Sequence, residues 1–341
     1  MLLRKSVATA FFALAVSSAA AQASTKAKSP ANQAHAAPAA KAVLPVYKAT
    51  SGVTGTLKSI GSDSMNNEMA LWSEGFRKLY PGVKIEVEGK GSGTAPTALI
   101  EGTSQFGPMS RPMKNEELNS FKTKFGYEPT AIKTSLDVLA VYVHRDNPIK
   151  SLSLEEVDAV FSKTRKSGAA KDLATWGDLG LTGEWENKPI QLYGRNSASG
   201  TYGYFKEHAL AKGDFKDSVK EQPGSAAVVQ AIASDKFGIG YSGIGYKTDA
   251  VKAIPLSLKK GGEAIPANEE SALAGTYPLG RYLLIYVNKA PKQDLDPARR
   301  EFLLYVLSAQ GQEAAEKNGY IALPLKILKE ERAKIGAVTG G

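Results

Sequence analysis

Two periods of apolar residues alternate along this chain. Leu57 to Ile60 reads as a short strand. Met65, Met69, Trp72, Phe76 and Leu79 then recur every three or four positions, the spacing of one helix face, and Tyr80-Pro81-Gly82 stops that helix. Val83 to Val87 (Val-Lys-Ile-Glu-Val) alternates as a strand, followed by a glycine-rich turn and a short helix through Ala98, Leu99 and Ile100. Leu136 to Val143 and Tyr282 to Val287 are largely apolar, β-prone runs that suit buried strands. Between them lie a strand at Ile190 to Tyr193, a helix from about Tyr202, a helix at Val228 to Ala233 and a strand at Ile239 to Tyr241. Phe302 to Ala315 reads as one amphipathic helix. This alternation predicts an α/β fold with mostly parallel sheets. If the two long apolar runs are crossing strands, the first domain is discontinuous. The chain leaves it near Val143 and returns near Tyr282, and a ligand sits in the cleft between domains.

The N-terminus sets the expected compartment. Arg4 and Lys5 precede an apolar run from Val7 to Val16, and Ala21-Gln22-Ala23 follows as an A-x-A cleavage signature. The run is shorter than the ~20 residues that span a bilayer. Residues 1–23 are therefore expected to be a signal peptide cleaved near Ala23. With no cysteine to carry a lipid anchor, the product is expected to be periplasmic. Residues 24–55 are rich in Ala, Lys and Pro and read as a flexible tether, with order beginning near Thr56. The expected lobes are 56–143 with 282–341 (lobe I) and 144–281 (lobe II).

The net charge of +9 suggests nucleic acid only until it is located. Setting aside Arg4, Lys5 and the tether lysines Lys26, Lys28, Lys41 and Lys48 leaves the body at +3. A mixed surface of that kind argues against a nucleic-acid partner and mildly favours an anionic ligand.

Four segments place small hydroxyl or glycine residues between a strand and a helix start. A helix N-terminus offers unpaired N–H groups and partial positive charge, so such loops suit anions. They are Gly61-Ser62-Asp63-Ser64; Gly89-Lys90-Gly91-Ser92-Gly93-Thr94; Phe106-Gly107-Pro108-Met109-Ser110-Arg111-Pro112; and Arg195-Asn196-Ser197-Ala198-Ser199-Gly200-Thr201. The last is the most informative, with a guanidinium fork, two hydroxyls and a helix start within seven residues. Neither G-x-x-x-x-G-K-[ST] nor G-x-G-x-x-G fits the second loop, because Thr94 stands where the last glycine belongs. His35, His144 and His208 are isolated, and no H-E-x-x-H or Cys/His spacing offers a metal site. G-x-S-x-G is absent around Ser197, Ser199 and Ser242, and no acid/base pair stands out. No catalytic residue, metal or cofactor is expected.

These segments resemble the periplasmic phosphate-binding proteins of phosphate ABC transporters. The resemblance runs from about Leu57 to Leu325, and its most specific part is Arg195 with Ser199-Gly200-Thr201, matching the family's R-x-x-x-S-G-T. Gly91-Ser92-Gly93, Phe106-Gly107 and the stretch Leu152 to Trp176 fit in order. The resemblance implies a type II periplasmic-binding-protein fold, two lobes closing on a dehydrated phosphate. It implies phosphate contacts from Asp63, Ser64, Ser92, Ser110, Arg195, Ser199, Gly200 and Thr201. The implied partner is a membrane permease, and a monomer is expected. One position departs: in some members an aspartate after the Phe-Gly segment accepts the phosphate proton, and here Ser110 stands there. Asp63 either replaces that acceptor or caps the helix that follows it. Competing readings are another oxyanion (sulfate, molybdate), a phosphate-ester hydrolase, or an adhesion role carried by the tether.

Overall fold

The computed structural model describes residues 44–336. The leader and residues 24–43 of the expected tether lie outside them. In chain order the first half holds β1 (Gly55–Ile60), α1 (Asn66–Leu79), β2 (Val83–Glu88), α2 (Ala95–Glu101), β3 (Gly107–Met109), α3 (Asn115–Phe125) and the long β4 (Thr130–His144). The middle holds β5 (Leu152–Ser153), α4 (Leu154–Phe161), β6 (Gln191–Arg195), α5 (Gly200–His208), β7 (Lys220–Gln222), α6 (Ser225–Ala233), β8 (Gly238–Gly243), β9 (Val251–Ala253), β10 (Leu256–Ser257) and α7 (Glu269–Leu273). The chain then returns through β11 (Gly280–Val287), α8 (Pro297–Val306), α9 (Ala309–Lys317) and α10 (Leu325–Lys334).

The central sheet runs β3-β11-β4-β8-β6-β7, with β9 also on β4. β4 is 15 residues long because it serves two halves. Its first part, Thr130–Val138, pairs with β11, and its second, Leu139–His144, pairs with β8 and β9. The expected mostly parallel sheets are corrected here. β1/β2, β6/β7, β6/β8 and β5/β10 are parallel, but every pairing of β4 and β11 is antiparallel. The reason is topological: β4 carries the chain out of one half, and β11 carries it back alongside.

One continuous core runs through both halves, with an aromatic group in each. In the first, Met69, Trp72 and Phe76 of α1 are fully buried, and Phe76 and Phe106 both pack on Phe302, with centroids 5.4 and 4.9 Å away. In the second, Phe205 of α5 stacks on Tyr241 of β8 at 3.9 Å. Burial of such rings is the largest favourable contribution per residue to a core.

Two expectations on element limits are revised. The helix predicted from Phe302 to Ala315 is broken into α8 and α9 at Leu307-Ser308. Ser308 Oγ accepts from the Gly311 N–H at 3.3 Å, so its side chain starts a new helix, as serine favours. The ordered body also begins before Thr56. Tyr47 and Val53 are buried, and the Tyr47 hydroxyl lies 2.5 Å from the Tyr80 hydroxyl and donates to Glu301 at 2.8 Å. One aromatic anchor outweighs the low complexity of the residues around it.

Candidate functional site

All four predicted loops converge, and backbone hydrogen bonds tie them together. Ser62 N–H donates to the Pro108 carbonyl (2.7 Å), Gly91 N–H to Gly61 (2.8 Å) and Gly93 N–H to Ala198 (3.0 Å). Gly91 has φ +107°, and a Cβ there would lie 2.6 Å from the Ala198 carbonyl, so only glycine fits. Gly200 is crowded instead by side chains. A Cβ on it would fall 2.2 Å from Ser92 Oγ and 2.6 Å from Ser110 Oγ. The start of α5 thus presses directly on two of the predicted site serines.

The hydroxyls form two short chains. Ser64 Oγ lies 2.8 Å from Thr201 Oγ1 and 3.4 Å from Ser225 Oγ. Ser92 Oγ lies 3.3 Å from Ser110 Oγ and accepts from the Ser110 N–H. Arginines enter the first chain at both ends: Arg195 Nη1 donates to Ser225 Oγ at 2.8 Å, and Arg281 Nη2 to Thr201 Oγ1 at 3.0 Å. A guanidinium can only donate. The first chain therefore has three hydroxyl protons for two links, and the second has two for one. At least one proton in each must turn to another acceptor. Arg195 Nε, buried and without a partner, adds an N–H of the same kind. The arrangement is a cluster of donors suited to an anion rich in acceptor oxygens.

Asp63 is the acidic member. Its Oδ2 accepts from Arg195 Nη1 at 3.0 Å and from the Ser225 N–H at 2.8 Å. It does not cap the helix that follows it in sequence; its carboxylate sits instead at the start of α6. Tyr246 donates to the Asp63 carbonyl and Tyr320 to the Ser64 carbonyl, at 2.9 and 2.6 Å. Burial raises both phenol pKa values, with negative charge from Asp63 acting on Tyr246 and from Asp137 on Tyr320, so both stay protonated donors.

Of the predicted residues, Asp63, Ser64, Ser92, Ser110, Arg195, Gly200 and Thr201 are brought together by these contacts. Ser199 is the N-cap of α5, its Oγ accepting from Tyr202 N–H at 3.3 Å, and it serves the site by starting that helix. Arg111 does not point its fork at the hydroxyls; both Nη atoms bind Glu117 at 2.7 Å. Sequence reasoning missed Ser225, Arg281 and Asp137. Ser225 had the signal used for the other loops, a Pro223-Gly224-Ser225 turn opening a helix. Arg281 and Asp137 had another: Asp137 is the one charge within Leu136 to Val143, and Arg281 directly precedes the apolar run from Tyr282.

Two halves joined by long antiparallel strands, with donors converging from helix starts in both, define a two-lobed solute-binding protein for a small anion. A family model described as a PBP superfamily domain matches residues 14–310. The phosphate-binding protein PstS of Pseudomonas aeruginosa PAO1 is 55% identical over 293 residues, covering 86% of this chain and 91% of that one. PstS of Staphylococcus haemolyticus is 30% identical over 281 residues, covering 81% and 84%. Among solved structures, a Clostridium perfringens substrate-binding protein described as a putative phosphate ABC transporter component with bound phosphate aligns with TM-score 0.67. It is 24% identical and covers 79% of this chain and 100% of that one. A possible phosphate binding protein from Planctomyces limnophilus aligns with TM-score 0.60 at 25% identity, covering 84% and 100%. The chain belongs to the PBP superfamily and, within it, to the PstS phosphate-binding proteins.

Proposed function

We propose that this protein binds inorganic phosphate in the cleft between its lobes and delivers it to the membrane permease of an ABC transporter. The observation that carries the reading is the surplus of hydroxyl protons between Arg195 and Arg281, beside the carboxylate of Asp63. Hydroxyl, backbone and guanidinium donors satisfy the bare oxygens of the anion. Asp63 accepts the one proton that HPO₄²⁻ carries and sulfate lacks, so an aprotic anion meets an unpaired negative charge. The residues assigned to phosphate are Asp63, Ser64, Ser92, Ser110, Arg195, Ser199, Gly200 and Thr201, with Ser225 added. The lobes are 56–143 with 282–341, and 144–281, the first extended by the packed residues 44–55.

Magnitudes are consistent with capture. Micromolar affinity requires about −8 kcal/mol, and hydrogen bonds to charged groups contribute about 1.5–3 kcal/mol each. Half a dozen leave a surplus for dehydration and lobe closure. The relatives named above are binding proteins, and this chain acts as one rather than as an enzyme. It works as a periplasmic monomer released from its leader near Ala23. No helix among the described residues is long and apolar enough to cross a membrane. Calorimetric titration with phosphate, sulfate and molybdate tests the reading. Phosphate alone binding tightly supports it; equal or stronger binding of sulfate or molybdate overturns it.

A further inference from the structure

We infer that Arg281 is a positioning residue of the anion site, and that Asp137 sets how much of its charge the anion feels. The inference rests on the phosphate-binding reading and deepens it. Arg281 stands on β11 directly opposite Asp137 on β4. Both side chains are buried, 2% and 0% exposed. Arg281 Nε and Nη2 donate to Asp137 Oδ2 at 2.9 and 2.7 Å. The remaining donors leave the strand pair for the site: Nη1 binds the Ser110 carbonyl at 2.8 Å, and Nη2 binds Thr201 Oγ1 at 3.0 Å. The guanidinium also lies 5.3 Å from the ring of Tyr204, on the same helix as Thr201.

One planar group therefore joins β4, β11, the loop after β3 and the start of α5. Two consequences follow. Because guanidinium N–H groups only donate, Arg281 fills an acceptor position on Thr201 and directs that hydroxyl's proton toward Ser64 or the anion. Held from the strands, it also fixes Ser110 and Thr201, from different elements, in one register. Arginine's fork makes several such bonds at once and lysine's ammonium does not. The second consequence is electrostatic. Asp137 is bound by Arg281 on Oδ2 and by the Ile244 N–H on Oδ1, at 3.0 Å. Its negative charge offsets an arginine that would otherwise act on the anion in full.

The two residues thus have opposite effects on binding and the same effect on stability, a split that a purely structural ion pair does not produce. The test is phosphate titration together with the melting temperature without phosphate, for wild type, Arg281→Gln, Arg281→Lys and Asp137→Asn. Arg281→Gln is expected to weaken phosphate binding by about tenfold or more. Arg281→Lys keeps the charge, recovers part of the loss, and stands in if the Gln variant does not fold. Asp137→Asn is expected to melt lower and yet bind phosphate at least as tightly as wild type. Wild-type affinity in Arg281→Lys and in any folded Arg281→Gln overturns the inference. So does an Asp137→Asn affinity that falls along with its melting temperature. Failure of the wild type itself to bind phosphate counts against the phosphate reading instead.

Discussion

Asp63 shows how a residue's role depends on what the fold brings to it. In sequence it stands where a helix cap belongs; in space its carboxylate meets Arg195 and the start of α6, more than 130 positions away. Asparagine there keeps one acceptor but can donate, so it no longer repels sulfate. Asp63→Asn is expected to narrow the phosphate-to-sulfate preference by about tenfold, on the order of 1.4 kcal/mol, in competition titrations. Ser110→Ala, which removes a donor but no charge, is expected to weaken both anions alike. Glu68 is a different case. It lies in the first turn of α1, one turn beyond Ser64, and both carboxyl oxygens are buried without a hydrogen-bond partner. Ser135 lies alongside, but its hydroxyl is likewise unpartnered. Burial pushes the carboxyl well above the usual carboxylate range; the neighbouring Ser135 hydroxyl opposes this in part, and the charge of Asp137 adds a smaller upward push. The folded protein then keeps a proton that the unfolded chain releases, so this group lowers stability as pH rises above the ordinary carboxylate range. The slope is about 1.4 kcal/mol per pH unit until the raised value is passed. Glu68→Gln should therefore gain melting temperature over wild type, and the gain should grow as pH rises above the ordinary carboxylate range. A gain independent of pH would show that Glu68 is ionised in the fold.

At the scale of elements, the legible part of the site was the local part. Gly89 to Thr94 and Arg195 to Thr201 each carry strand end, small residues and helix start within a few positions, so the chemistry and the geometry share one stretch of sequence. Arg281 and Asp137 do not. Their meeting depends on the register of β11 on β4, 144 residues apart, and a register set by packing leaves no motif. The direction of the central strands was illegible for the same reason: apolar runs report burial, not which neighbour a strand takes. The break between α8 and α9 was legible in principle. Ser308 precedes a helical start, but the continuous apolar spacing across it masked the cap. Ser308 also donates to the Tyr305 carbonyl at 2.6 Å, so it closes one helix and opens the next. Gly311, whose N–H it caps, presents its carbonyl to the Trp72 indole at 2.8 Å. Ser308→Ala is expected to cost about 1 kcal/mol, the ordinary value of an N-cap, read as a lower denaturation midpoint with phosphate affinity nearly unchanged. A large loss of affinity would mean that the α9 packing reaches the site.

At the scale of the whole molecule, phosphate capture as proposed needs two halves that contribute unlike groups to one anion. In the proposed site the first supplies Asp63, Ser64, Ser92 and Ser110, and the second supplies Arg195, Gly200, Thr201 and Ser225, with β4 and β11 between them. Affinity then measures closure as well as contact, and removing the arginine that reaches across should remove both. The most direct measurement is calorimetric titration of phosphate into wild type and Arg195→Ala, after circular dichroism has shown the variant folded. Truncating Arg195 removes its charged donors to the anion, each worth about 1.5–3 kcal/mol, or about tenfold to 150-fold in affinity per bond lost. Wild type is expected to show a single tight phosphate site, and the folded variant to lose tight binding. Phosphate affinity within about threefold of wild type, a change of roughly 0.7 kcal/mol, would contradict this and place the anion elsewhere.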